Sequence, residues 1–155
     1  MNLETMIKIL IIDDHPLVCD GIKTMLKDES SMEVVNATKT ATEALSFLSN
    51  HDPDIILLDI SLPDMSGLEL CVRIRSMNKK VKIIGLTSTN EASIITGLLQ
   101  RGGNGYLLKN MERNELIEAI HTVQEDKVFL SRAVNDKVLE QFQSQVAAEV
   151  AYLLT

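Results

Sequence analysis

The sequence predicts an α/β fold: a doubly wound, five-stranded parallel sheet with helices on both faces and an extra helix at the C-terminal end. Two observations predict it. Five short apolar runs, at residues 7–12, 32–37, 55–60, 81–86 and 106–108, alternate with stretches of helical periodicity. Four of the five runs are rich in Ile, Val or Leu with little polar alternation, as in strands buried on both faces.

The connecting segments read as helices, each for its own reason. Val18, Gly21, Ile22, Met25 and Leu26 share one face of the first, and Pro16 suits its first turn, where its missing N–H costs nothing. Thr40 with Glu43, and Ser66 with Glu69, have capping-box spacing and open the second and third. Ile94, Ile95, Leu98 and Leu99 mark a fourth, stopped by Gly102-Gly103. Leu116, Ile117, Ile120 and Val123 mark a fifth. Right-handed crossovers then give a flavodoxin-like strand order of 2-1-3-4-5. Residues 128–130 read as a short extended piece, and helix resumes at Ser131. There Val134, Val138, Phe142, Val146, Val150 and Leu153 form a stripe spaced mostly by four, free to pack on the domain, on a second copy or on a further neighbour.

Composition narrows the classes. The 155 residues can bury a core without disulfide or metal staples. The net charge of −7 comes with no clustered Lys and Arg, which argues against direct nucleic-acid binding by this segment. Cys19 and Cys71 lie in apolar, helix-like stretches and read as reduced core thiols, which fits a cytoplasmic protein. The first residues lack a secretory-signal pattern, and no apolar run reaches the roughly 18 residues of a membrane span.

The chemistry sits at the strand ends. In a doubly wound sheet all strand carboxyl ends share one edge, where ligands bind. The first strand ends in Asp13-Asp14, the third in Asp59, the fourth in Thr87 and the fifth in Lys109. Each has an ordinary explanation alone: a helix cap, a turn before Pro63, a local hydroxyl turn, a solvated lysine. Four strands delivering them to one small area is a different matter. Three carboxylates about 4 Å apart repel by roughly 4 kcal/mol per pair at an effective dielectric near 20, and one lysine cannot balance them. A divalent cation with hard oxygen ligands, Mg²⁺ above all, can. A carboxylate can also attack phosphorus, with a lysine neutralising the phosphoryl oxygens and a hydroxyl donating to them. Asp59, Lys109 and Thr87 suit those three roles. His15, beside the acid pair, has a ligand or acid–base role as one reading and a helix-start residue as the preferred one, and His51 and His121 read as surface positions.

Asp13-Asp14-His15-Pro16-Leu17-Val18, the run from Leu57 through Asp59 and Ser61 to Glu69, Leu86-Thr87 and Gly105-Tyr106-Leu107-Leu108-Lys109 together resemble response-regulator (CheY-like) receiver domains of two-component systems. The opening and closing motifs resemble the NarL/FixJ (LuxR-type) branch. The resemblance covers about residues 7–130. It implies Asp59 as phosphoacceptor, and Asp13, Asp14, Asp59 and the backbone carbonyl of Ser61 as the Mg²⁺ shell. Lys109 would pair with the phosphoryl group, and Thr87 and Tyr106 would switch. It also implies a sensor histidine kinase as donor, a homodimer on activation, an output face at about residues 90–126, and no enzymatic turnover beyond self-phosphorylation and autodephosphorylation. Leu62, Asn110 and Gly102-Gly103-Asn104 depart from the commonest pattern, in loops only.

Residues 1–130 thus form the expected receiver, and 131–155 a helical linker. The closing Leu153-Leu154-Thr155 resembles the start of a helix-turn-helix effector domain, so the expected output is transcription through a DNA-binding domain beyond this chain. A stop codon directly after Thr155 would refute that. The alternative is a stand-alone phosphorelay or protein-binding receiver. A haloacid-dehalogenase-type phosphatase lacks its second acid here, since Ser61 stands two residues after Asp59. A flavin binder lacks a Gly-rich phosphate loop after the first strand, and an inactive scaffold does not require the intact acid set.

Overall fold

The computed structural model describes residues 6–88 and 91–154. Strands β1 (Ile7–Ile12), β2 (Met32–Thr38), β3 (Ile55–Asp59), β4 (Lys82–Thr87), β5 (Gly105–Leu108) and β6 (Phe129–Leu130) alternate with helices α1 (Pro16–Leu26), α2 (Ala41–Leu48), α3 (Gly67–Met77), α4 (Ala92–Gln100) and α5 (Arg113–Gln124), and α6 (Arg132–Leu154) closes the chain. The sheet is parallel throughout, in the order β2-β1-β3-β4-β5-β6.

The expected order 2-1-3-4-5 is present, with a sixth strand added at its edge. Residues 129–130 pair with Gly105 and Tyr106. Two residues are too few to show strand periodicity, and only the exposed edge of β5 gives them ladder partners.

Alternating side chains divide the core between the two faces of the sheet. Ile9, Ile11, Ile55, Leu57, Ile84 and Leu86 pack on one face with Ile22 and Leu26 of α1 and Leu116 and Ile120 of α5. Leu10, Ile12, Ile56, Leu58 and Ile83 pack on the other with residues of α2, α3 and α4. β3 is buried along its whole length, which explains its unbroken apolar run. Cys19 and Cys71 are buried free thiols, and burial pushes both above the usual thiol range.

Local chemistry sets the helix ends. Pro16 opens α1. Thr40 Oγ1 accepts from the Glu43 amide at 3.0 Å, and the Glu43 carboxylate reaches back to the Lys39 amide at 3.0 Å. Ser66 Oγ accepts from the Glu69 amide at 3.2 Å. α4 ends where Gly102 adopts φ +96°, a left-handed conformation that glycine enters without a Cβ penalty, and the Gly103 amide reaches back to the Leu98 carbonyl at 2.9 Å.

The apolar stripe on α6 docks only at its start. Val134 is fully buried and Val138 packs against the same core, whereas Phe142, Val146, Val150 and Leu153 are exposed. A spacing of four on a helix of 3.6 residues per turn advances about 40° per step, so the stripe winds off the face that meets the domain.

Candidate functional site

The register of β1, β3 and β4 sets the site. Ile12 pairs with Leu58, so Asp13 emerges beside Asp59, and Asp59 pairs with Leu86, so Thr87 lies one step further along the neighbouring strand. Thr87 pairs with Leu108, and the Lys109 amide donates to the Thr87 carbonyl at 2.7 Å. Asp13, Asp14, Asp59, Thr87 and Lys109 thus reach one rim by strand pairing alone.

Asp13 and Asp59 are buried, and Asp14 is about a third exposed, at 35%. Lys109 Nζ stands 3.1 Å from Asp13 Oδ2 and 3.2 Å from Asp59 Oδ2. One oxygen of Asp59 is fixed, since Oδ1 accepts from the Ser61 amide at 2.9 Å. Asp13 Oδ2, Asp14 Oδ1 and Asp59 Oδ2 are buried without an aligned hydrogen-bond donor among the described residues. One ligand atom from each of these three acids and from His15 lies within 4.8 Å of the others. Buried acid oxygens left this way are costly. Converging oxygen donors are also what a hard divalent cation needs, so the residues present fit Mg²⁺. Burial pushes the Asp59 carboxyl above its usual range; the Ser61 amide opposes this, the Asp13 charge adds to it and Lys109 opposes it.

The surroundings are shaped to hold Asp59 in place. Gly67 donates its amide to the Ile60 carbonyl at 2.8 Å, so close that a Cβ there would lie 2.6 Å from the Asp59 carbonyl oxygen and from Ile60 Cα. Asp64, in the same loop, accepts from the amides of Ala41 and Thr42 at 2.9 and 3.0 Å, which fastens the loop to the start of α2. Those bonds hold the Asp64 carboxyl below its usual range. Tyr106 is fully buried. Burial pushes its phenol up to about 12, with the nearby Thr87 side chain opposing the shift. Gly85 leaves room for the ring: a Cβ there would lie 3.0 Å from two Tyr106 ring carbons.

All seven expected site residues lie at or beside this rim, with Ser61 exposed just past Asp59 and contributing its amide. The expected output face is described except for Asn90, which lies outside the described residues. One participant escaped the sequence reading. His15 begins α1 without a side-chain cap, and its ring turns into the acid cluster. Its Nδ1 lies 2.7 Å from Asp13 Oδ1, 3.1 Å from Asp14 Oδ1, 3.5 Å from Asp59 Oδ2 and 2.9 Å from Lys109 Nζ. Adjacency to the acid pair was the only sequence signal, and it leaves the ring's direction open.

A doubly wound sheet with three acids, a lysine and a hydroxyl at one rim defines a class of signalling domain, and the family comparison agrees. The response regulator receiver domain family matches residues 9–121, and the chain belongs to that family. Within it, the relatives are regulators of the NarL/LuxR type. The nitrate/nitrite response regulator NarL of Escherichia coli strain K12 is 33% identical over 126 residues, covering 81% of this chain and 58% of NarL. A LuxR-family two-component response regulator from Aurantimonas superposes with a TM-score of 0.83 at 25% identity, covering 88% of this chain and 98% of that one. RcsB, solved as two dimers bound to two parallel DNAs, superposes with a TM-score of 0.80 at 26% identity, covering 86% of this chain and 68% of that one. The chain spans 58% to 67% of the length of the curated relatives it matches first.

Proposed function

We propose that this receiver accepts a phosphoryl group on Asp59 from a phosphohistidine of a sensor histidine kinase, in a Mg²⁺-dependent reaction, and changes conformation to control an output. The observation that carries this reading is the state of the two Asp59 oxygens: Oδ1 is tied to the Ser61 amide, while Oδ2 faces Lys109 at 3.2 Å without an aligned donor. A carboxylate oriented in this way can attack phosphorus. The new bond is Asp59 O–P; the bond that breaks is P–N of the donor, whose imidazole nitrogen keeps the electron pair. Asp13, Asp14, Asp59 and the Ser61 carbonyl would hold Mg²⁺, which supplies charge neutralisation for the phosphoryl oxygens when bound. Lys109 supplies a second positive charge at the same place.

Thr87 and Tyr106 form the switch in this reading. The Thr87 side chain turns to the new phosphoryl oxygens, and the buried Tyr106 ring answers by changing its environment. The chemistry ends with self-phosphorylation and autodephosphorylation, with no turnover of other substrates. The output in this reading is dimerisation on activation and transcription control through a DNA-binding domain, in the cytoplasm; RcsB, solved as dimers bound to DNA, supports it. Among the described residues no helix is long and apolar enough to cross a membrane.

The test is incubation of the protein with acetyl phosphate and Mg²⁺, followed by intact mass. One phosphoryl addition is expected, absent in Asp59→Ala and absent when Mg²⁺ is chelated. Addition to Asp59→Ala at the wild-type level would refute the assignment. Lys109→Ala is expected to signal poorly even where it takes up phosphate; wild-type output from that variant would remove the lysine from its role.

A further inference from the structure

We propose that His15 is a positioning residue that competes with the divalent cation: its ring fills the cation's place among the acids and must swing out before the ion enters. The inference deepens the reading of the acidic rim as a Mg²⁺ site and rests on it. His15 Nδ1 lies 2.7, 3.1 and 3.5 Å from oxygens of Asp13, Asp14 and Asp59. An ion bound by those same oxygens takes each at about 2.0–2.1 Å. It would therefore sit where the ring nitrogen is, and the two cannot share the space.

The ring is held firmly enough to matter and loosely enough to leave. Its nitrogen lies against the Asp13 carboxylate and, at 2.9 Å, against the Lys109 ammonium. A ring nitrogen has either one hydrogen or one lone pair, so it serves the acid or the amine, not both. The side chain is half exposed, at 54%, and makes no cap bond to α1, so it can turn to solvent without unwinding the helix. The His15 backbone stays anchored meanwhile, because its amide donates to Asp13 Oδ1 at 2.8 Å. Two of the oxygens around the ring, Asp14 Oδ1 and Asp59 Oδ2, are buried without aligned donors, so the ion would satisfy groups that the ring does not.

The test is calorimetric titration of the full chain with MgCl₂ at one fixed pH, for wild type, His15→Ala and His15→Asn. Asn keeps a good helix-start residue should Ala disturb the turn. Both variants are expected to bind Mg²⁺ about three- to tenfold more tightly, the equivalent of one net hydrogen bond that no longer has to be broken. In wild type, the His15 ring ¹H–¹⁵N signals should move toward solvent-exposed values with the same Mg²⁺ midpoint as the calorimetry. Weaker binding in both variants would make His15 a ligand and overturn the proposal, as would unchanged affinity or a ring signal that ignores Mg²⁺. If wild type binds Mg²⁺ and takes a phosphoryl group while the variants match it, only the competition falls. If wild type binds no Mg²⁺, the reading of the rim falls with it.

Discussion

Replacing Asp59 by Asn is expected to stabilise the metal-free fold. The Asn amide can still accept from the Ser61 amide, so the change removes a charge and leaves the geometry. Asp13 and Asp59 offer ligand atoms within 4.8 Å of each other, a repulsion of at least about 3.5 kcal/mol at an effective dielectric near 20. Asp14, partly exposed, adds a smaller repulsion. Lys109 at 3.2 Å returns about 5 kcal/mol of attraction on the same scale. These terms nearly cancel, so burial decides the sign, and desolvating a carboxylate costs several kcal/mol. Relieving part of it should raise stability by about 1–3 kcal/mol, or about 2–4 °C in Tm for each kcal/mol. The assay is thermal and urea unfolding in chelator at neutral pH. The gain should depend on pH with a defined sign. The folded-state carboxyl of Asp59 is raised, so its own contribution to wild-type stability is fully kept in acid and lost as pH rises through that value. The gap between the proteins should therefore open with rising pH and close in acid. An Asn variant that is less stable at neutral pH, or a gap that widens in acid, would refute the reasoning.

Two further outcomes test the scaffold. Gly67→Ala places a Cβ 2.6 Å from backbone atoms of Asp59 and Ile60, which cannot rotate away, so urea unfolding should show a loss of about 1–3 kcal/mol or more and phosphoryl uptake should fall with it. On α6, Val134→Ala should cost about 1–3 kcal/mol because that side chain is fully buried, whereas Phe142→Ala, 61% exposed, should stay within about 0.5 kcal/mol in the same measurement.

What the sequence revealed and what it hid have the same physical origin. A parallel strand covered on both faces is apolar along its buried stretch, so β1, β3 and β4 announce themselves as runs rich in Ile and Leu. Where such a run stops in a polar residue, the residue lies at the rim, which is why Asp13, Asp59 and Thr87 were readable as a group. Their partners across the ladder then follow from strand order. Features decided by side-chain rotation or by a single edge were not readable in this way. The His15 ring has an equally good path to solvent, and only the acids around it draw it in. The extended piece at residues 128–130 was legible, but its pairing as β6 depends on the edge that β5 leaves open beside it. The α6 stripe shows an apolar repeat, but its advance around the helix decides that only Val134 and Val138 meet the domain.

The geometry that brings the acids together also makes their rim costly, and this couples cation binding to fold. β3 is buried end to end and paired on both sides, so the Asp59 backbone cannot move to relieve its side chain. Asp13 is equally fixed beside it. Repulsion that cannot relax by motion can relax only by neutralisation: by Lys109, by a cation or by a proton. A cation and a proton claim the same oxygens, so these two compete, while Lys109 acts beside either. Mg²⁺ should therefore stabilise the folded domain by about 1.4 kcal/mol at ten times its dissociation constant, whatever that constant is. In Asp59→Asn the gain at equal Mg²⁺ should be smaller, because one of the charges that held the ion has gone.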